Sequence, residues 1–188
     1  EICQILRAWP RERQIDVARR LGAPPPGEDP IYSLLEHLKD VPRAVRDAAL
    51  ATLRTESGGA ARAAERVLLD WDEIDRMAKG GVAIEAHGVS HDMLTGLDDD
   101  AARAELVDSR RTLLERGHGL GGLFAYPAGR HDARVCRLTE ESGFSAAFTI
   151  ERRMLTRESD RFAMPRLMLH EGMSATRDEF LMRVPGWR

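Results

Sequence analysis

The chain has 188 residues, 43% of them hydrophobic and 31% charged, with a formal net charge of −3. That is enough chain for a domain with a substantial core, and the composition is that of an ordinary globular protein. A charge this small excludes a general attraction to nucleic acid or an anionic membrane, and no apolar run approaches the ~18–20 residues that span a bilayer. Lys39 and Lys79 are the two lysines, so nearly all positive charge is Arg, interleaved with acids at helical spacing as on a solvated face. Cys3 and Cys136 lie far apart, in no metal-type spacing.

Residues 1–69 carry helical periodicity broken by the turn cluster Gly22-Ala23-Pro24-Pro25-Pro26-Gly27. The pattern predicts helices over Pro10 to Leu21, Ile31 to Lys39, Pro42 to Thr55 and Ala60 to Leu69. In the third, Val45, Ala48, Ala49 and Thr52 share a face, with Pro42 suited to its first turn. The stretch reads as a helical insertion or lid, and Ser57-Gly58-Gly59 is its most flexible joint.

From Asp70 the pattern changes to alternating helix and strand, so residues 70–188 form an α/β domain. Asp70 is an N-cap with Glu73 at the capping-box position, and Gly80-Gly81 ends that helix. Val82-Ala83-Ile84 reads as a short buried strand running into His87. A helix follows from about Asp99 to Arg116, with Ala102, Leu106, Leu113 and Leu114 inward and Gly117 as its stop. Leu123 to Tyr126 is the next strand, Ala133 to Ser142 a helix, and Phe144 to Ile150 another strand. Arg166 to His170 is a last strand, and Phe180 to Val184 an edge segment. Such alternation argues for a parallel sheet or barrel, whose active site gathers at the C-terminal ends of the strands. His87, Tyr126-Pro127 and His170 all fall there.

Three features could carry chemistry. In His87-Gly88-Val89-Ser90-His91 the i,i+4 spacing sets both imidazoles on one side of a helical turn, within reach of one metal ion. About 0.2 such pairs arise by chance in a chain with this many histidines, so the spacing alone leaves ordinary loop histidines open. Its place directly after an apolar strand favours ligation. Phe124-Ala125-Tyr126-Pro127-Ala128-Gly129 is either a plain strand–turn or a rigid loop that offers backbone N–H groups to an oxyanion. His170, at the end of Pro165-Arg166-Leu167-Met168-Leu169-His170, is either structural or a general acid.

Taken in order, these pieces resemble the polysaccharide deacetylase (NodB-homology) family of carbohydrate esterases, over about Leu69 to Leu169. Leu69 to Ile74 is like the helix before the family's metal motif, and Ile84 to Leu94 is similar to that motif, with Gly88 where Ser or Thr follows the first His. Leu123 to Gly129 looks like the Phe-Ala-Tyr-Pro-x-Gly form of the third motif. Gly143 to Ala147 and Phe162 to Leu169 resemble the strands that follow.

The resemblance implies an incomplete distorted (β/α) barrel with an N-terminal helical insertion, and a divalent metal, zinc by default, held by two His and one Asp. It implies hydrolysis of acetyl groups, usually N-acetyl, from a polysaccharide or glycan. His87 and His91 carry over as ligands, Tyr126 as the donor of a backbone N–H to the oxyanion, and Pro127 and Gly129 as residues shaping the substrate loop. Arg166 stands in for the family's Arg, whose place Ala125 takes, and His170 is the acid. The family's Asp-Asp motif, which supplies the base and third ligand, is not found: Asp98-Asp99-Asp100 caps a helix. The expectation is a chain truncated before that motif. A non-catalytic metal- or sugar-binding relative and a helical interaction module are the alternatives.

Overall fold

Proline and aspartate set the helix starts in the N-terminal stretch. The protein was analysed as a computed structural model, which describes residues 2–25, 29–58, 68–167, 169 and 171–183. It divides into two compact units, Glu1–Glu73 and Ile74–Arg188. In the first, α1 (Ile2–Arg7), α2 (Arg11–Arg20), α3 (Pro30–Lys39) and α4 (Arg43–Glu56) pack around Leu6, Val17, Leu34 and Leu53, each 1% exposed or less. Pro10 and Pro42 precede α2 and α4, and the Asp29 carboxylate accepts the amides of Ile31 and Tyr32 at the head of α3.

The buried stripe of α4 is Ala49 and Leu53; Val45 is exposed, which corrects the expected face by one helical position. The helix α1 is an addition to the expected set, and most of the helix expected over Ala60 to Leu69 lies outside the described residues, as do Pro26, Gly27 and Gly59.

Arg20 joins α2 to α4 by a two-pronged bond to Glu56, at 2.8 and 2.9 Å. That hydrogen bonding holds the Glu56 carboxyl below its ordinary range. A depressed carboxyl pKa contributes stability above its unfolded value, lost as pH falls through the folded value. Amide-exchange protection of α2 and α4 is therefore expected to drop below the ordinary carboxyl range, and Arg20→Met to flatten that dependence.

After α4 a complete capping box heads α5 (Trp71–Lys79): the Asp70 carboxylate accepts the Glu73 amide at 2.8 Å, and Glu73 accepts the Asp70 amide at 2.9 Å. Then come α6 (Asp99–Glu115), β1 (Leu123–Ala125), α7 (Ala133–Glu141), β2 (Ala146–Phe148), α8 (Glu171–Ser174) and α9 (Arg177–Arg183). Asp98 and Asp132 cap α6 and α7 with their carboxylates. Ala102, Leu106 and Leu113 are buried as expected, whereas Leu114 faces out.

β1 and β2 pair in parallel, Phe124 opposite Ala147. Single parallel bridges extend the pairing on both sides, Ala86 to Phe124 and Phe148 to Met164. Four parallel segments thus lie in the order 86, β1, β2, 164. The parallel α/β arrangement is present, but these segments form a small sheet among many helices, and a barrel is not formed by the described residues.

Three strand expectations are corrected. Val82 and Ala83 are exposed and unpaired as a strand, because pairing begins only at Ala86, whose amide reaches Leu123 O at 3.2 Å. The last segment pairs through Met164, whose amide bonds Ala147 O at 2.9 Å; of the expected strand Arg166 to His170, the described residues Arg166, Leu167 and Leu169 are not in a strand, and the other two lie outside the described residues. Phe180 lies within the helix α9; the acids Asp178 and Glu179 in its first turn and the bond from the Glu179 amide to the Thr176 hydroxyl favour a helix start over an edge strand.

Candidate metal and acyl-binding site

His87 follows directly on the bridge at Ala86, so the first parallel segment delivers it to the C-terminal edge of the sheet. Its Nδ1 lies 2.6 Å from Ala125 O, at the end of β1. A carbonyl accepts only, so Nδ1 carries the proton and Nε2 keeps a lone pair directed elsewhere. Ligating histidines are commonly oriented by just such a bond.

His91 meets His87 ring to ring, with centroids 4.9 Å apart and planes at 77°. Two imidazoles bound to one ion through nitrogens at ~2.0–2.1 Å have centroids roughly 4.5–5.2 Å apart. The pair therefore fits a shared divalent ion. The convergence does not come from a helical turn, as expected, but from a loop: residues 87–92 have no helical hydrogen bonding. The chain reverses through Gly88 (φ 85°) and His91 (φ 62°). A non-glycine residue in the left-handed region costs about 1–2 kcal/mol, and such strain concentrates at functional sites.

The arc between the histidines is tied to α6. Glu105 Oε2 accepts the amides of Val89 at 2.7 Å and Ser90 at 2.9 Å, and the Ser90 hydroxyl lies 2.7 Å from Glu105 Oε1 and 2.8 Å from Asp92 Oδ2. A Cβ on Gly88 would meet Glu105 Oε2 at 3.0 Å, so a side chain at the position that carries Ser or Thr in the family would be strained by its φ of 85° and would press on the Glu105 carboxylate. Sequence reasoning passed over Glu105. The available signal was a carboxylate bordering the buried stripe of Ala102, Leu106 and Ser109.

The Pro127 loop sits at the same sheet edge, but Tyr126 does not have the role expected of it. Its amide is spent in the sheet, donating to Phe148 O at 3.0 Å, and its ring is fully buried. The phenol donates to Phe162 O at 2.9 Å, and burial pushes its pKa up. Pro127 and Gly129 are buried as well, which suits shaping of the loop and not contact with substrate. A Cβ on Gly129 would stand 2.6 Å from Ile150 N, so only glycine lets the loop close on the second residue after β2. Between them Ala128 adopts φ 49°, and among the described residues its amide has no acceptor. His131, also unforeseen, stacks on Tyr126 at 5.5 Å and bonds Gly129 O at 3.0 Å, bracing the loop from behind.

Arg166 is exposed, with Nε donating to Thr149 O at 2.9 Å and its guanidinium 5.9 Å from the Phe148 ring centroid. It shares the sheet edge with His87, but three strand spacings, roughly 14 Å, separate their segments. His170 lies outside the described residues. Among the described residues no group of three or more His, Cys, Asp or Glu is placed to hold a metal, so a third ligand to the histidine pair is not found there.

The sequence model of the family described as "Polysaccharide deacetylase" matches residues 40–147, more than half of the chain. The chain belongs to the polysaccharide deacetylase family. The match includes both histidines and the Pro127 loop, starts within the helical stretch and stops short of Arg166. A relative in Bacillus subtilis (strain 168), YxkH, carries the name of a polysaccharide deacetylase and is 27% identical over 105 residues. That alignment covers 56% of this chain and 38% of the relative. Among solved structures, the Streptococcus pyogenes deacetylase PplD in complex with acetate superposes with a TM-score of 0.56 at 18% identity, over 74% of this chain and 63% of that one. The deacetylase fold is thereby shared, and this deacetylase-family chain spans less than two thirds of both proteins it matches. Among its described residues no helix is long and apolar enough to cross a membrane.

Proposed function

We propose that this deacetylase-family chain carries the metal-binding and oxyanion-binding part of a hydrolase that removes acetyl groups, N-acetyl foremost, from a glycan. The observation that carries the reading is the edge-on meeting of His87 and His91 at 4.9 Å, with the Nδ1 of His87 held by the carbonyl of the third-motif strand. A divalent ion, zinc by default for an imidazole-rich site, would polarise an acetyl carbonyl and acidify a water. His87 would hold it through Nε2, the ring nitrogen opposite the one bonded to Ala125 O, and His91 through a ring nitrogen, while carboxylates from outside the described residues would complete the ligand set and act as base.

The oxyanion donor in this reading moves from Tyr126 to Ala128, whose amide has no acceptor among the described residues and whose strained backbone turns it out of the sheet. Arg166 would contact the glycan at the far side of the same edge, and His170 remains the proposed acid. Residues 1–69 keep the proposed role of a lid or insertion.

The reading is tested by incubating the protein, with and without Zn²⁺ and with a chelator, with N-acetylated and O-acetylated oligosaccharides and measuring free acetate. Zinc-dependent release, abolished by the chelator, is expected. Glycan binding without acetate release under every condition would instead support a non-catalytic sugar-binding relative.

A further inference from the structure

We infer that Glu105 is a positioning residue for the histidine pair: its carboxylate clamps the arc between His87 and His91 and sets the bite of the two rings. The inference rests on the metal-site reading above. Three donors, the Val89 amide, the Ser90 amide and the Ser90 hydroxyl, converge on this one side chain within 2.7–2.9 Å. They belong to the two residues immediately before His91. The left-handed backbone of His91, unfavourable by itself, is imposed from that side.

The other end of the clamp is rigid. Glu105 rides on the 17-residue α6, anchored on either side by the buried Ala102, Leu106 and Ser109. A group meant to hold a loop within a fraction of an ångström is best mounted on such an element. The contact is also crowded: the space a Cβ would take at Gly88 is bounded by Glu105 Oε2 at 3.0 Å and Pro127 Cγ at 4.0 Å. The metal arc, α6 and the Pro127 loop thus meet at one point, with Glu105 the only charged group among these closest atoms.

Glu105→Gln separates geometry from charge. Its amide oxygen can still accept both backbone amides, and its NH2 can donate to Ser90 Oγ while that hydroxyl turns to Asp92, 2.8 Å away. Glu105→Ala removes every acceptor. Isothermal titration with Zn²⁺ is expected to show affinity lowered about 10–100-fold in Glu105→Ala, as for other residues that orient ligands. Glu105→Gln should lose no more than about threefold. Glu115→Ala, on the exposed end of the same helix, should match the wild type.

A second readout needs no metal. The edge-on rings shift each other's proton resonances, so the imidazole Hε1 signals of His87 and His91 in the metal-free protein should move in Glu105→Ala and stay in Glu105→Gln. Wild-type zinc affinity or unmoved ring signals in a folded Glu105→Ala protein would overturn the inference. Equal losses in the Ala and Gln variants would do so too. If the wild-type protein takes up no zinc through these histidines, the metal-site reading fails, while the ring signals still decide the role of Glu105.

Discussion

Replacing His91 with alanine should weaken zinc binding roughly 100-fold or more while leaving the metal-free fold intact. The magnitude follows from sharing the ~10–16 kcal/mol of a four-ligand zinc site among its ligands, about 3 kcal/mol each. Both histidines are exposed, so neither replacement opens a cavity in the core. His87→Ala should have a similar effect on zinc and also lose the bond to Ala125 O.

His91→Gly sharpens the test. Glycine adopts φ near 62° without strain, so this variant should be more stable than the wild type by about 1 kcal/mol while binding zinc no better than His91→Ala. A histidine that costs stability where it stands is held there for its ring. Titration calorimetry and thermal melting, run on the same samples, separate the two effects. Undiminished zinc affinity in both single variants would remove the proposed centre.

The second large effect concerns Tyr126, and it is one of stability. Its ring is fully buried, packs edge-on against Phe124 at 5.5 Å and stacks on His131 at the same distance. Tyr126→Ala should cost about 3–5 kcal/mol, as large aromatic truncations in cores do. Tyr126→Phe keeps the ring but leaves the Phe162 carbonyl only the weak Cys136 thiol as a donor, for about 1 kcal/mol.

The pH dependence has a definite sign. Burial raises the pKa of the folded phenol, so its contribution is complete below the unfolded tyrosine value of about 10 and is lost as pH rises above it. Tyr126→Phe should flatten that alkaline loss in urea titrations. Because the Tyr126 phenol is buried and bonded within the core, acetate release by folded Tyr126→Phe should stay near the wild-type rate. A large fall in rate with unchanged stability would return Tyr126 to the chemistry.

The histidine spacing and the Phe-Ala-Tyr-Pro-x-Gly run were legible because a metal pair and a strand–turn need particular residue types close together in the chain. Two helix starts were legible for the same reason, Asp70 and Asp98 each capping an amide three residues ahead; Asp29 and Asp132 cap α3 and α7 in the same way. Strand extents were not, since pairing depends on a partner far along the chain. Val82 to Ile84 is as apolar as a strand, yet backbone hydrogen bonding to β1 begins only at Ala86. The same reason hid the fate of the Tyr126 amide, whose acceptor, Phe148 O, lies on another strand.

Local chemistry along the chain therefore determined the family, the Asp70 and Asp98 caps and the paired imidazoles of the proposed site. Only the folded arrangement decided which amide lacks an acceptor among the described residues, that of Ala128 and not Tyr126, and that a carboxylate fourteen residues beyond His91 holds the arc between the histidines. The reason is one of range: a cap or a turn is satisfied by its neighbours in sequence, whereas a backbone amide in a parallel sheet is satisfied by whatever strand the tertiary fold lays beside it.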